Sequence, residues 1–179
     1  MKVAPSRVED RPALQALLGQ HHSLRVARRG ELLDSSDHPA LLAWSGDELA
    51  GAATYVISGA ECELLTLHAA SRFRGTGSAL LTALQDVARS AGCRRLWVVT
   101  TNDNVDALRF YQRRGFRLAH LRPEAVTRSR ATLKPEIPTS GSYGIPLRDE
   151  LELQLDLTEP EPNRAPRALS GGRTAGTGP

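Results

Sequence analysis

Three groups of residues have types and spacings that chemistry could use. The first is Arg72-Phe73-Arg74-Gly75-Thr76-Gly77, directly before an apolar stripe of helical period. Glycines at such a place let the backbone close on an anion, and a following helix offers unpaired N–H groups at its positive end. Arg72 and Arg74 add two cations, so a pyrophosphate would be well held. The loop has no Gly-Lys-Ser/Thr, which excludes a Walker A site, and it lacks the third glycine of a dinucleotide fingerprint. A plain tight turn is the competing explanation. The second group is Asn104-x-x-Ala107-x-x-x-Tyr111-x-x-x-Gly115-Phe116. On a helix, Asn104, Ala107 or Leu108, and Tyr111 fall on one face. An N-cap, a core tyrosine and a C-cap glycine would give the same pattern, and both uses are compatible. The third is Glu61 and Glu63, at i and i+2 of an apparent strand. Both carboxylates leave the same face, continued inward by Leu65 and Leu67, and can attract a cation and raise one another's pKa. Cys62 and His68 fall on the opposite face by the same parity.

These groups need elements to hold them. Asp10 and Pro12 open a helix with Leu14, Leu17 and Leu18 at helical spacing. A loop through His21 to Pro39 follows. Ala40–Ser45 and Leu49–Ile57 read as a hairpin around Gly46-Asp47, and Glu61–His68 as a third strand. Gly77–Ala91 is a helix with the stripe Leu80, Leu81, Leu84, Val87, Ala88 and Ala91, capped by Gly92. Leu96–Thr100 is a continuous apolar strand, as expected where both faces of a parallel pair are buried. Asn102, Asp103 and Asn104 offer N-caps for a helix running to Arg114. Phe116–Leu121 and the alternating Leu151–Leu157 supply two more strands, the last one half-buried. Meander strands followed by strand–helix–strand–helix–strand mean an α/β fold, a mixed sheet with helices on its faces.

The first two groups, in this order and with this helix and strand between them, resemble the GNAT superfamily of N-acetyltransferases. Arg72 through Gly77 is similar to that family's (Arg/Gln)-x-x-Gly-x-(Gly/Ala) acetyl-CoA signature, and Asn104 through Phe116 to its second conserved segment. The element order of residues 1–157 agrees, most specifically over 61–118. Lys134-Pro135-Glu136-Ile137-Pro138 with Gly144-Ile145-Pro146-Leu147-Arg148-Asp149-Glu150 also looks like a bacterial subgroup of the family.

The resemblance implies a mostly antiparallel central sheet, splayed where acyl-CoA enters, and acetyl-CoA as cosubstrate. The backbone N–H groups of Phe73, Arg74, Gly75, Thr76, Gly77 and Ser78 would cradle the pyrophosphate, with charge from Arg72 and Arg74. The strand Thr66-Leu67-His68 would pair with the pantetheine arm, and a backbone N–H near Leu67 or His68 would polarise the thioester carbonyl. Asn104 would lie beside the same arm. Tyr111 stands where the family commonly carries a tyrosine near the sulfur. A phenol of ordinary pKa about 10 can donate to a thiolate whose conjugate acid titrates near 8.5. Glu61 or Glu63 would take the amine proton, directly or through water. The implied reaction is acetyl transfer to a primary amine, small molecule or peptide, by direct attack in a ternary complex. A non-catalytic acyl-CoA-binding sensor is the alternative. The acceptor side falls to the loops His21–Pro39 and Arg122–Arg148, and Arg148-Asp149-Glu150 is a candidate lining of that site.

Composition sets the remaining bounds. The chain has 179 residues, 40% hydrophobic and 24% charged, which excludes collagen, a coiled coil and full disorder. Residues 1–157 form the expected domain. From Thr158 onward Pro and Gly recur with one sizeable apolar residue, Leu169, so 158–179 reads as a disordered tail. A net charge of +3, without a basic run interleaved with aromatics, argues against nucleic-acid binding. No apolar stretch reaches the roughly 18–20 residues of a membrane span. No signal segment opens the chain, and its two cysteines make no disulfide framework, so a cytoplasmic location is expected. His21-His22 has no partners at ligand spacing, and no metal is expected. A homodimer is one assembly left open.

Overall fold

A computed structural model describes residues 1–70 and 75–158. The elements run β1 (Lys2–Pro5), α1 (Arg11–Gln20), β2 (Arg25–Arg28), β3 (Glu31–Asp34), β4 (Ala40–Ser45), β5 (Glu48–Ser58) and β6 (Glu61–Ala69). Then come α2 (Thr76–Ser90), β7 (Arg95–Thr101), α3 (Val105–Gln112), β8 (Arg117–Arg122), α4 (Ala125–Thr132) and β9 (Glu150–Asp156). Seven strands form one sheet in the order β1-β4-β5-β6-β7-β9-β8, and β2 and β3 make a separate hairpin. Only β6 and β7 pair in parallel; the other neighbours are antiparallel. The expected α/β architecture, a mixed and mostly antiparallel sheet with flanking helices, is the one observed.

Two apolar layers hold the sheet. On one face the α2 stripe (Leu80, Leu81, Leu84 and Ala88) packs with Leu41, Ala53, Cys62, Leu64, Leu96, Val98 and Leu153, all buried, and Tyr111 of α3 joins them. Truncating one of these fully buried leucines to alanine would cost ~2–5 kcal/mol. On the other face Leu14, Leu17 and Leu18 of α1 cover Ala40, Leu42 and Ala52. The α2 helix stops at Gly92, whose φ of +78° is the left-handed cap conformation, and the Cys93 N–H closes back on the Ala88 carbonyl at 2.9 Å.

The structure departs from the sequence reading in several places, and four of them have a physical cause in the chain's turns, caps and strand register. The stretch His21–Pro39 holds β2 and β3, joined at Arg29-Gly30 with φ of +52° and +79°. Such a turn favours Asn-Gly, and Arg29 disguises it. The stretch Arg122–Arg148 contains α4, whose start is signalled by no capping side chain. Asn102 and Asp103 do not cap α3. Asn102 instead holds the Pro146 carbonyl and the Arg148 and Asp149 N–H groups, while Asp103 receives the Ser142 N–H at 2.8 Å.

The fourth departure concerns parity. Thr54 faces Thr66 while Tyr55 faces Leu64, so Leu65 is an extra residue in β6. This bulge shifts every later side chain to the other face. Leu67 therefore returns to the α2 side with Cys62 and Leu64, and does not continue the glutamate face. Thr66 and His68 join Glu61 and Glu63, so His68 is not opposite them.

Candidate active site

The parallel pairing of β6 with β7 covers only Glu61–Leu64 against Arg95–Val98. Beyond it, β6 stays on β5 as far as Gly51↔Ala69, and β7 stays on β9 as far as Thr101↔Glu150. The two strands diverge, and the backbone edges of Leu65–Ala69 and Val99–Thr101 face a gap within the sheet. A side chain at Gly51 would put its Cβ 2.5 Å from the His68 carbonyl oxygen and 2.8 Å from Thr76 Cγ2. Glycine at that position lets β5, the end of β6 and the start of α2 converge at the gap. Its role was not legible in the sequence, because it stands inside a strand pattern without a turn.

The mouth of the gap is the N-terminus of α2. Gly75 adopts φ +83°, with no atom of the described residues within 4 Å of where a Cβ would be, and its carbonyl accepts the Ala79 N–H at 3.0 Å. The N–H groups of the first turn precede any intrahelical partner. Ser78 Oγ accepts from Arg114 Nη2 at 2.5 Å, and the Arg114 guanidinium lies 3.7 Å from the Phe110 ring centroid. Arg114 thus adds a cation beside this helix start that the motif spacing does not reveal. Arg72, Phe73 and Arg74 lie outside the described residues.

Asn104 caps α3, its Oδ1 accepting the Ala107 N–H at 3.2 Å. One helical face on, Tyr111 is 5% exposed, with Phe110 and Phe116 rings 5.2 and 5.3 Å away. It belongs to the same apolar cluster as Leu64 and Val98, the last pair before the strands part. Burial pushes its phenol well above the ordinary value, so it keeps its proton at neutral pH and is a weaker acid than an exposed tyrosine.

The face opposite that cluster is polar yet largely covered. Glu63 is 5% exposed and accepts a hydrogen bond from Arg28 Nη2 at 2.9 Å, while Arg28 Nε approaches to 2.7 Å as an ion-pair contact without hydrogen-bond geometry. Burial lifts its carboxyl above the usual range, against the opposing pull of Arg28. Glu61, three residues before the divergence, is held by Arg95 at 2.5 Å. The two glutamates therefore have separate cationic partners. Thr66 is tied to Thr54, Oγ1 to Oγ1 at 2.7 Å. His68 stacks on His21 with centroids 4.3 Å apart. Its Nε2 is buried without a partner among the described residues, and burial, then His21, pulls its pKa down to about 4. Cys62 is fully buried and its thiol is pushed up to about 12, chiefly by burial. No thiolate nucleophile is available there.

On β9, Glu150 and Glu152 share this face and are 2% and 3% exposed, so the first part of the strand is covered on its polar face as well, while Gln154 is half-buried and Asp156 exposed. Burial alone would raise Glu152; hydrogen bonds from Arg122 at 2.6 Å and Gln154 at 2.7 Å hold it below the usual range. The hairpin of β2 and β3, with α4 packed on it, provides the cover. Arg29 places its guanidinium 5.1 Å from the Trp97 ring centroid. No cluster of three or more potential metal ligands occurs among the described residues.

A sheet parted between two parallel strands, with a glycine-led helix at the mouth, defines an acyl-CoA transferase class of fold. Residues 9–116 match the acetyltransferase (GNAT) family, and the chain belongs to that family. It is 44% identical over 104 residues to the uncharacterised protein YdhI of Bacillus subtilis strain 168, covering 58% of this chain and 64% of that one. It is 39% identical over 111 residues to YxbD of the same organism, covering 62% and 69%. The chain thus spans about two thirds of the length of these relatives. A Bacillus subtilis acetyltransferase solved in complex with CoA superposes with a TM-score of 0.69 at 21% identity, over 87% of this chain and 97% of that one. At that identity the likeness is one of fold.

Proposed function

We propose that the chain is an acetyl-CoA-dependent N-acetyltransferase acting on a primary amine by direct attack in a ternary complex. The observation that carries this reading is the end of the parallel register at Leu64↔Val98, with the α2 N-terminus and Gly75 at the mouth of the resulting gap. Acetyl-CoA would supply an activated acetyl thioester. The left-handed Gly75, with no described atom where a Cβ would be, and the N–H groups of the first turn of α2 fit its pyrophosphate. The loop residues Arg72, Phe73 and Arg74, the N–H groups of Thr76, Gly77 and Ser78, and the Arg114 guanidinium complete that cradle. The Thr66-Leu67-His68 edge would bind the pantetheine arm, and an N–H near Leu67 or His68 would hold developing oxyanion charge. Asn104 would flank the arm. Tyr111 would serve the departing sulfur as the acid; burial keeps it protonated but also weakens it as an acid, so its part is a hydrogen bond to the thiolate more than a completed transfer.

For the base, support favours Glu63 over Glu61, because Glu63 lies nearer the divergence. It must share its charge with Arg28, so Glu63 would act through water or after Arg28 shifts. The pairing of both glutamates with arginines is also what a non-catalytic acyl-CoA sensor would show. One experiment separates the readings. Calorimetry measures acetyl-CoA binding to the wild type and to Gly75→Glu, which sets a carboxylate in the anion cradle. Thiol release is then followed with a panel of amines. Binding by the wild type, its loss in a folded Gly75→Glu, and amine-dependent thiol release are expected. Binding without turnover on any amine would favour the sensor, and unchanged affinity in Gly75→Glu would remove the cradle assignment.

A further inference from the structure

Glu150 is the carboxylate that the acid–base reading leaves unused. It sits on β9 opposite Thr101, the last residue of the diverging stretch of β7. It is 2% exposed. Its Oε2 accepts the Arg29 N–H at 3.0 Å. That contact uses the left-handed turn residue, with φ +52°, a conformation uncommon outside glycine. Its Oε1 is buried with no partner among the described residues. Arg122, its cross-strand neighbour on β8, donates Nη2 to Glu152 at 2.6 Å, and its Nη1 makes no hydrogen bond among the described residues, to Glu150 or to any other group. Buried carboxylate oxygens are expensive to leave unpaired.

Glu150 also lines a cavity of about 190 Å³ between β2, α4 and the segment 134–147. Val26, Val126, Ile137 and Leu147 provide apolar walls, and Thr101 joins Glu150 where the cavity meets the β7 side of the gap. The cavity is open to solvent at its rim. The rim is cationic but occupied: Lys134 Nζ donates to the His22 and Arg25 carbonyls at 3.0 and 2.6 Å, and Arg25 pairs with Glu136 at 3.2 Å.

We propose that this cavity is the acceptor subsite and that Glu150 Oε1 receives the acceptor's ammonium group, which makes the substrate class an aliphatic monoamine. A buried acceptor atom behind apolar walls selects a cationic head on a hydrocarbon stem. A second positive charge at the far end of the ligand would meet Lys134 and Arg25, which disfavours polyamines. The inference rests on the acetyltransferase reading only in calling the ligand an acceptor.

The test is calorimetric titration of n-butylamine hydrochloride into the full chain, alone and saturated with CoA, with spermidine as comparator. Butylamine binds the wild type in at least one condition and more tightly than spermidine; Glu150→Gln weakens it at least tenfold. Ile137→Trp, which fills the cavity without touching the carboxylate, weakens it as much and decides the matter should Glu150→Gln fail to fold. Absence of butylamine binding to the wild type in both conditions overturns the proposal. So does equal affinity in a folded Glu150→Gln or in Ile137→Trp, or preference for spermidine. Acetyl-CoA is titrated separately. A chain that binds butylamine through Glu150 but not acetyl-CoA refutes the transferase reading and leaves the amine site standing.

Discussion

His68 should make the fold sensitive to mild acid. Its pKa is pulled down to about 4 in the fold, against about 6.5 for a histidine in an unfolded chain. Between those values the unfolded state binds a proton that the native state refuses. Stability is therefore fully present above about pH 6.5 and falls as pH drops toward 4. Going from pH 7.5 to 5.5, the linkage relation gives a loss of about 1.3 kcal/mol from this one residue. For a domain of this size that is roughly 3–5 °C in Tm. His68→Phe keeps a ring to stack on His21 and removes the titration. It forfeits no hydrogen bond at Nε2, which has no partner among the described residues. The assay is Tm by circular dichroism at half-unit steps over that range, for both proteins. The mutant should lose about 3–5 °C less than the wild type on acidification, with a Tm at pH 7.5 no lower than the wild type's. Parallel curves for the two proteins would refute the reasoning, because the loss would then come from other groups.

Three further outcomes are expected. Tyr111→Phe should lower kcat about 10²-fold with acetyl-CoA affinity unchanged; near wild-type kcat would reduce the tyrosine to packing. Arg28→Met should cost ~3–5 kcal/mol in chemical denaturation by leaving Glu63 buried and unpaired. Adding Glu63→Gln should restore most of that loss, and failure to do so would mean that Arg28 acts through something other than this pair. Removing residues 160–179 should leave Tm and acetyl-CoA affinity unchanged, since their composition offers little apolar surface to bury; a drop of several degrees would show that they dock.

The long, strongly patterned elements were legible because their periods reflect the core directly. Leu80, Leu81, Leu84 and Ala88 of the α2 stripe and Leu153 of β9 are buried, Val87, Leu151 and Leu155 are half-buried, and Ala91 at the helix end is exposed. Short elements were not. Four-residue strands such as Arg25–Arg28 carry too few alternations to register, and their pairing depends on a turn whose residue type conceals its conformation. In the candidate site, the glycine loop and the Asn104–Tyr111 face could be recognised from local spacing. The partners that set the charge state of the glutamates could not: Arg28 lies 35 residues from Glu63 in sequence. Glu152 read as solvated from its alternation with leucines, because nothing local announced that a hairpin and a helix would cover that face. Single-residue irregularity in β6 was the remaining blind spot, since strict alternation assumes that no residue is inserted.

That insertion has a consequence for how the strand tolerates change. Leu65 acts as a phase shift: before it the polar series falls on odd positions, Glu61 and Glu63, and after it on even ones, Thr66 and His68. One strand can thereby deliver Cys62, Leu64 and Leu67 to the helix-covered core and keep four polar side chains on the opposite face. Deleting Leu65 would not turn the strand over, because Leu64 would then precede Thr66 in plain alternation and Leu67 and His68 would keep their faces. What the deletion removes is the local bend and added twist of a bulge, placed directly after Leu64, the last residue that pairs with β7. The extra residue thus steers the strand away from its neighbour at the point where the gap begins.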